Sequence, residues 1–435
     1  MILFFYNLAL MAALILSAPW WLWKMATTHK YREGIGERLG GTARIRKLLA
    51  AGTGRPVLWL HAVSVGEVLA VSRLVSELDS ALPQFRLLVS TTTRTGQDLA
   101  LQRFGADRVF YCPLDLPWAV SAYLKALQPG MLILAETEFW PNLLSECFGR
   151  NIPVVVINAR ISDRSWPRYH RLKSIFRPIL ARLSAVLAQS DTDADRLRAI
   201  GCMPGRVSVA GNLKFDVRAA TETDATRLLR NSASGLRIVV AGSTLDGEEA
   251  TLLEAWPQLL AADARLALVL APRHPERFSA VADLLNLSGI PWTRRSEWLS
   301  QHLVEIMPGE IILLDTIGEL ASVYSLASVA FVGGSIAPAG GHNPLEPAQF
   351  GVPIVMGPNY ANFRAITEDL LAADALRIAQ PREMAQSLIE LLADRTSAEA
   401  MGASARRVFE QKAGATARCV AEIRELLQPA AEREP

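Results

Sequence analysis

Ten short runs of Val, Ile, Leu and Ala, each followed by a segment with helical spacing, leave this 435-residue chain few folds to choose from. Five fall in the first half, at 57–60, 87–89, 131–135, 154–157 and 185–188, and five in the second, at 238–241, 266–270, 311–314, 329–332 and 353–356. Strands this short and this uniformly apolar have both faces buried, and helices between successive strands supply the cover, so each set predicts a parallel, doubly wound sheet. The stretch 221–235 has no strand signal and marks the expected connection. Two sheets of this kind face each other across a cleft, with ligands outside the carboxyl ends of their strands. The expected division is 1–23 as an anchor, 24–215 and 216–427 as two Rossmann-like domains, and 428–435 as a tail.

The start of the chain is different in kind. The first 23 residues contain no Asp, Glu, Lys or Arg, which is long enough to cross a bilayer core as a helix. Trp20, Trp21 and Trp23 stand at its end, and Lys24, His29, Lys30 and Arg32 follow. That pattern predicts a single-pass anchor with the rest of the chain on the cytoplasmic side of the inner membrane. A cleaved signal peptide is the alternative, but no basic region precedes the apolar run and no small-residue cleavage site precedes the tryptophans.

Composition narrows the function by exclusion. Half of the residues are apolar, a fifth are charged, and the net charge is +2, so nothing predicts a nucleic-acid partner. Cys112, Cys147, Cys202 and Cys419 are far apart, without C-x-x-C spacing, which argues for a reducing compartment and against structural zinc. Neither first strand-to-helix turn carries G-x-G-x-x-G; they read His61-Ala62-Val63-Ser64-Val65-Gly66-Glu67 and Gly242-Ser243-Thr244-Leu245-Asp246-Gly247-Glu248. Nicotinamide or flavin binding is disfavoured, and no cofactor is expected. Asp191-Thr192-Asp193 resembles a D-x-D metal site, but Ser190 before it favours helix capping, and no metal site is expected.

The richest segment is 333–358. It runs Gly333-Gly334-Ser335, then Gly340-Gly341-His342-Asn343-Pro344-Leu345-Glu346, then Gly351-Val352-Pro353 and on to Gly357-Pro358. Glycines let backbone amides approach an anion, Pro344 suits a first helical turn, and a helix N-terminus offers unpaired N–H groups to phosphate. Glu346 is placed to accept from ribose hydroxyls, or else to complement the dipole of its own helix.

Gly340–Glu346 together with His61–Glu67 resembles the 3-deoxy-D-manno-octulosonic acid (Kdo) transferases of lipopolysaccharide assembly. Further matching stretches are Glu136-Thr137-Glu138-Phe139-Trp140-Pro141, Asn158-Ala159-Arg160, Gly211-Asn212-Leu213-Lys214-Phe215-Asp216, Pro272-Arg273-His274-Pro275-Glu276-Arg277 and Gly318-Glu319-Leu320. The resemblance covers nearly the whole chain. It implies a GT-B fold and inverting transfer of Kdo from CMP-Kdo to a lipid A precursor, lipid IVA.

Glu67, after a glycine turn, is either a general base or a partner of its helix dipole; the resemblance implies proton abstraction. For the pair Glu136 and Glu138, it implies that Glu136 stabilises the transition state. Lys214 is implied in the same role. Pro272, Arg273, Ile317, Gly318, Glu319, Asn343, Pro344, Leu345 and Glu346 are implied to hold CMP. Another lipid-linked GT-B transferase with a UDP-sugar, or a degenerate scaffold, are the alternatives. Finally, residues 160–177 hold Arg160, Arg164, Arg168, Arg171, Lys173 and Arg177 among Trp166, Tyr169 and Phe176. This is either a solvated helix face or a surface for an anionic membrane and the acceptor's phosphates.

Overall fold

The computed structural model describes residues 2–28, 33–52, 54–220, 222–298 and 305–428. His29, Lys30 and Arg32, expected to flank the apolar segment, lie outside them, as do Thr221 and residues 429–435 of the tail. The apolar segment itself is the helix Ile2–Thr28, within which Leu3–Thr27 is long and apolar enough to cross a membrane.

The chain divides into two units, the first of Met1–Val217 with Ala413–Pro435 and the second of Arg218–Lys412. The first contains seven strands, β1 (Val57–His61), β2 (Arg86–Thr91), β3 (Val109–Tyr111), β4 (Met131–Ala135), β5 (Val154–Ala159), β6 (Ala185–Ala188) and β7 (Val207–Val209). They lie in the order β3-β2-β1-β4-β5-β6-β7, and each pairs in parallel with its neighbours. The pleat sends successive side chains to opposite faces. Val57 and Trp59 of β1 therefore join a core with Phe110 and Tyr123, while Leu58 and Leu60 join another with Val68, Val71 and Leu74.

The second unit repeats the plan with β8 (Arg237–Thr244), β9 (Leu266–Pro272), β10 (Trp292–Arg294), β11 (Ile311–Leu313), β12 (Ala327–Val332), β13 (Ile354–Met356) and β14 (Arg377–Ile378). Their order is β10-β11-β9-β8-β12-β13-β14, again all parallel. All ten expected strands are present. The four that the apolar runs did not announce, β3, β7, β10 and β14, are the four sheet edges, each only two or three residues long.

Two expectations about the division of the chain need correction. The stretch 221–235 is not mere connection: Thr223 caps the helix Asp224–Ser232, whose Ala225, Leu228 and Leu229 are buried in the second unit. Nor does the second unit run from 216 to 427, because the helix Ala415–Leu427 belongs to the first. Its Ala415, Cys419 and Ile423 pack into the core that contains Leu58 and Leu60. The Asp216 carboxylate accepts from the amides of Gly414 and Thr416 at 2.6 and 2.5 Å, and Arg418 donates to the carbonyl of Ala210 at 2.6 Å. An apolar helical stripe states that it will be buried and not against which sheet.

Candidate active site

In an open parallel sheet, the loops at the carboxyl ends of two strands part where the strand order reverses, and ligands bind there. In the first unit that point lies between β1 and β4. Glu67 enters from the β1 side, in the first turn of the helix Val65–Ala81, and Glu136 and Glu138 from the β4 side. Val63 N–H donates to Glu67 Oε2 at 2.7 Å and Ser64 Oγ donates to Oε1 at 2.9 Å. Only 8% of Glu67 is exposed.

Those two hydrogen bonds favour the carboxylate, yet burial outweighs them, and the charges of Glu136 and Glu138 add to it. The Glu67 carboxyl is raised to about 7. An acid kept only to complement a helix dipole would be held low, whereas this one titrates where a general base is most effective.

Glu136 adopts φ +60°, a left-handed conformation that a residue with a side chain takes only at a cost of about 1–3 kcal/mol and that clusters at functional sites. Its N–H still pairs with the Ile157 carbonyl at 2.8 Å, so the turn occurs right at the end of the ladder. Glu138 is raised by burial and by the charge of Glu136, with the Trp140 indole opposing them.

Lys214 belongs to the same group. Burial lowers its ammonium, Glu136 and Glu67 raise it, and Arg160 lowers it further. It stands in the short 3-10 turn Leu213–Asp216, which a polar chain holds in place. Asn158, also at positive φ, accepts from Leu213 N–H at 3.1 Å through its side chain, and its carbonyl accepts from Gln189 at 3.0 Å. Gln189 accepts from Asn212, which in turn accepts from Lys214 N–H. Asn158, Gln189 and Asn212 were not singled out from sequence, although Asn158 and Asn212 stand in the quoted stretches.

In the second unit the strand order reverses between β8 and β12, where the glycine segment begins. One expectation fails here. The amides of Gly334, Ser335, Ile336 and Ala337 are not open to a phosphate: all four donate to the fully buried Glu248 carboxylate, at 2.7, 2.9, 2.8 and 3.3 Å. Leu245 N–H makes a fifth bond at 2.8 Å. Gly333 is required by this arrangement, since a Cβ there would lie 2.8 Å from Glu248 Oε2 and 2.6 Å from the Ser243 carbonyl oxygen. The chain supplies its own anion, so the glycines shape a loop instead of binding one. The helix after it, Leu345–Ala348, is only one turn long, with Pro344 as its N-cap residue.

Beyond Ala337 several predicted residues do come together. Asn343 accepts from Leu345 N–H at 3.2 Å and approaches Glu346 at 3.4 Å. Burial raises Glu346, opposed by Asn343 and by the charge of Arg273. Burial, with the charges of Arg273 and His274, lowers His342 to about 4 and leaves it neutral at physiological pH. Arg273 follows Pro272 at the end of β9, exposed, with its N–H on the Thr244 carbonyl.

The segment 317–319 is different. Ile317 is exposed and Gly318 has φ +88°, but the Glu319 carboxylate is occupied by Ala225 N–H, Arg295 and Thr316. What this turn offers a ligand is its backbone. Asp193 serves a cap, as expected: Ser190 accepts from Asp193 N–H, and the Asp193 carboxylate accepts from Ile161 N–H and the Ser190 hydroxyl. Among the described residues, no three His, Cys, Asp or Glu are grouped to hold a metal.

Two Rossmann-like parallel sheets, with an acid-and-lysine cluster at the switch point of the first, give the chain a GT-B architecture. A family model described as 3-Deoxy-D-manno-octulosonic-acid transferase (kdotransferase) matches residues 33–217. The chain is 35% identical to the 3-deoxy-D-manno-octulosonic acid transferase of Haemophilus influenzae, across 93% of each protein. It is 34% identical to the enzyme of that name from Bordetella pertussis, across 92% of this chain and 93% of that one. A solved UDP-GlcNAc 2-epimerase from Neisseria meningitidis shares the fold with a TM-score of 0.56 and 13% identity, covering 85% of this chain and all of that one. The chain belongs to the 3-deoxy-D-manno-octulosonic acid transferase family.

Proposed function

We propose that this protein transfers Kdo from CMP-Kdo to the lipid A precursor lipid IVA, with inversion at the anomeric carbon. The observation that carries this reading is the group of Glu67, Glu136, Glu138 and Lys214 in the first unit, with Glu67 titrating at about 7. Glu67 takes the proton of an acceptor hydroxyl as its oxygen bonds to the anomeric carbon. The bond from that carbon to the CMP phosphate oxygen breaks, and CMP departs with the electron pair.

Glu136 supports the positive charge that develops on the sugar, and Lys214 the negative charge on the leaving phosphate. The second unit holds the nucleotide through Pro272, Arg273, the backbone of 317–319 and the turn from Asn343 to Glu346. A CMP-Kdo supply with tetra-acylated lipid A precursor is expected to yield a product heavier by Kdo. CMP, and not UDP, is expected to raise the melting temperature, because a ligand of the native state stabilises it. A shift with UDP alone would instead favour a UDP-sugar donor.

The helix Ile2–Thr28 attaches the enzyme to the inner membrane, with both units on the cytoplasmic side. In the structure Tyr6 donates to Asp115 and Asn142 donates to Asn7. Losing both bonds on insertion costs about 1–3 kcal/mol. Nine Leu, Ile and Phe side chains between Ile2 and Leu16 gain roughly 3–5 kcal/mol in the bilayer, which favours insertion.

Arg168, Arg171, Lys173 and Arg177 are exposed along the helices Trp166–Arg171 and Lys173–Leu180, beside exposed Leu172 and Ile175, and exposed Arg164 stands in the turn before them. They face anionic headgroups. Replacing Arg168, Arg171 and Lys173 together by Glu is expected to weaken binding to anionic liposomes at least tenfold in moderate salt. Unchanged liposome binding would count against it.

A further inference from the structure

The Gly-rich segment has a second side that nothing above assigns. Pro338, Ala339 and Gly340 line one wall of a pocket of about 550 Å³, and 358–362 with Arg364 and Glu368 line the other. That volume is ordinary for a small-molecule site. The pocket lies at the loops that follow β12 and β13, the end of the sheet where ligands of this fold bind. It also adjoins the turn of Asn343 and Glu346 along the chain.

The pocket is a built feature. Asn359 donates its side-chain amide to the Ile336 carbonyl, and Asn362 donates to the Ala339 carbonyl, both at 2.9 Å. Asn362 N–H pairs with the Gly340 carbonyl at 2.8 Å. Gly340 and Gly341 both have positive φ, and a Cβ on Gly340 would strike the Asn362 side chain at 2.6 Å. Since each amide nitrogen is committed to a carbonyl, the orientation of both side chains is set, and their Oδ1 atoms are the ends that accept.

We infer that this pocket takes the sugar of the donor, a polyhydroxylated acid. Hydroxyls donate to Oδ1 of Asn359 and Asn362, and Arg364 pairs with the carboxylate, for which a guanidinium is the best-matched cation. The assignment rests on the CMP-Kdo reading. It adds what the nucleotide residues do not supply, a means of telling an acidic sugar from a neutral one.

The test compares Arg364→Gln and Arg364→Glu with the wild-type full-length protein, measuring KM for CMP-Kdo and the inhibition constant of CMP. Arg364 is exposed at the start of the helix Arg364–Ala372, and melting temperatures check that the fold survives. KM is expected to rise about tenfold for Gln and further for Glu, with less than a twofold change for CMP. Unchanged KM, or equal changes in both constants, would overturn the assignment. Failure of CMP to bind the wild type would overturn the donor reading and this inference with it.

Discussion

Glu67→Gln is expected to lower turnover by about 10²–10⁴-fold, the span that general base catalysis usually contributes, while leaving CMP binding within twofold. The amide fits the existing site. Its oxygen can still accept from Val63 N–H, and its nitrogen can donate to Ser64 Oγ, because a hydroxyl both gives and receives. A collapse of the fold is therefore not expected to confuse the result.

The wild-type rate should rise with pH and level off above about 7, since the base works only when ionised. Stability should move the other way. The folded carboxyl is raised from 4.5 to about 7, so the folded state holds a proton that the unfolded state has released between those values. The contribution of this group to stability is fully present below 4.5 and is lost as pH rises through 7. The loss is about 3 kcal/mol at most. Glu67→Gln should remove that part of the pH dependence and make the protein more resistant to denaturant at pH 8. Turnover within a few fold of wild type would reject Glu67 as the base.

Glu248→Ala should be the most damaging single change in the second unit. Five backbone amides at 2.7–3.3 Å would lose their acceptor at a fully buried site. Hydrogen bonds to a charged group contribute about 1.5–3 kcal/mol each, and a buried donor without a partner costs about 1–3 kcal/mol. These values do not add simply, but a loss of at least 4 kcal/mol is expected, a large part of the 5–15 kcal/mol that holds a typical domain together. Glu248→Gln should cost nearly as much, because the amide presents donors to donors. Urea unfolding decides it, and a loss below 1 kcal/mol for either variant would show that the loop is held by something else. The loop shaped by Glu248 continues into the pocket at 338–340, so CMP-Kdo binding should weaken along with stability.

Much of the framework was legible from one dimension. Both faces of the central strands are covered, so their residues are apolar without alternation, and β4 and β6 could be bounded to the residue. The edge strands β3, β7, β10 and β14 escaped because two or three residues pairing on one side need no such run. The glycine segment was found but given too direct a role, since nothing in its spacing says which anion fills it.

The Gly66-Glu67 turn with which the catalytic reading began was visible in the sequence, along with Glu136, Lys214 and Arg273, because local order places each at a strand end. Only the tertiary structure decided the rest. It set Glu67 beside two other acids and a lysine, in a site dry enough to raise its carboxyl to about 7. It brought Asp216 to the amides of Gly414 and Thr416, and Glu248 to those of Gly334–Ala337. Periodicity and turn chemistry are short-range properties that a sequence states outright. Desolvation, and the choice of partner for a buried charge, depend on residues distant along the chain and exist only once it has folded.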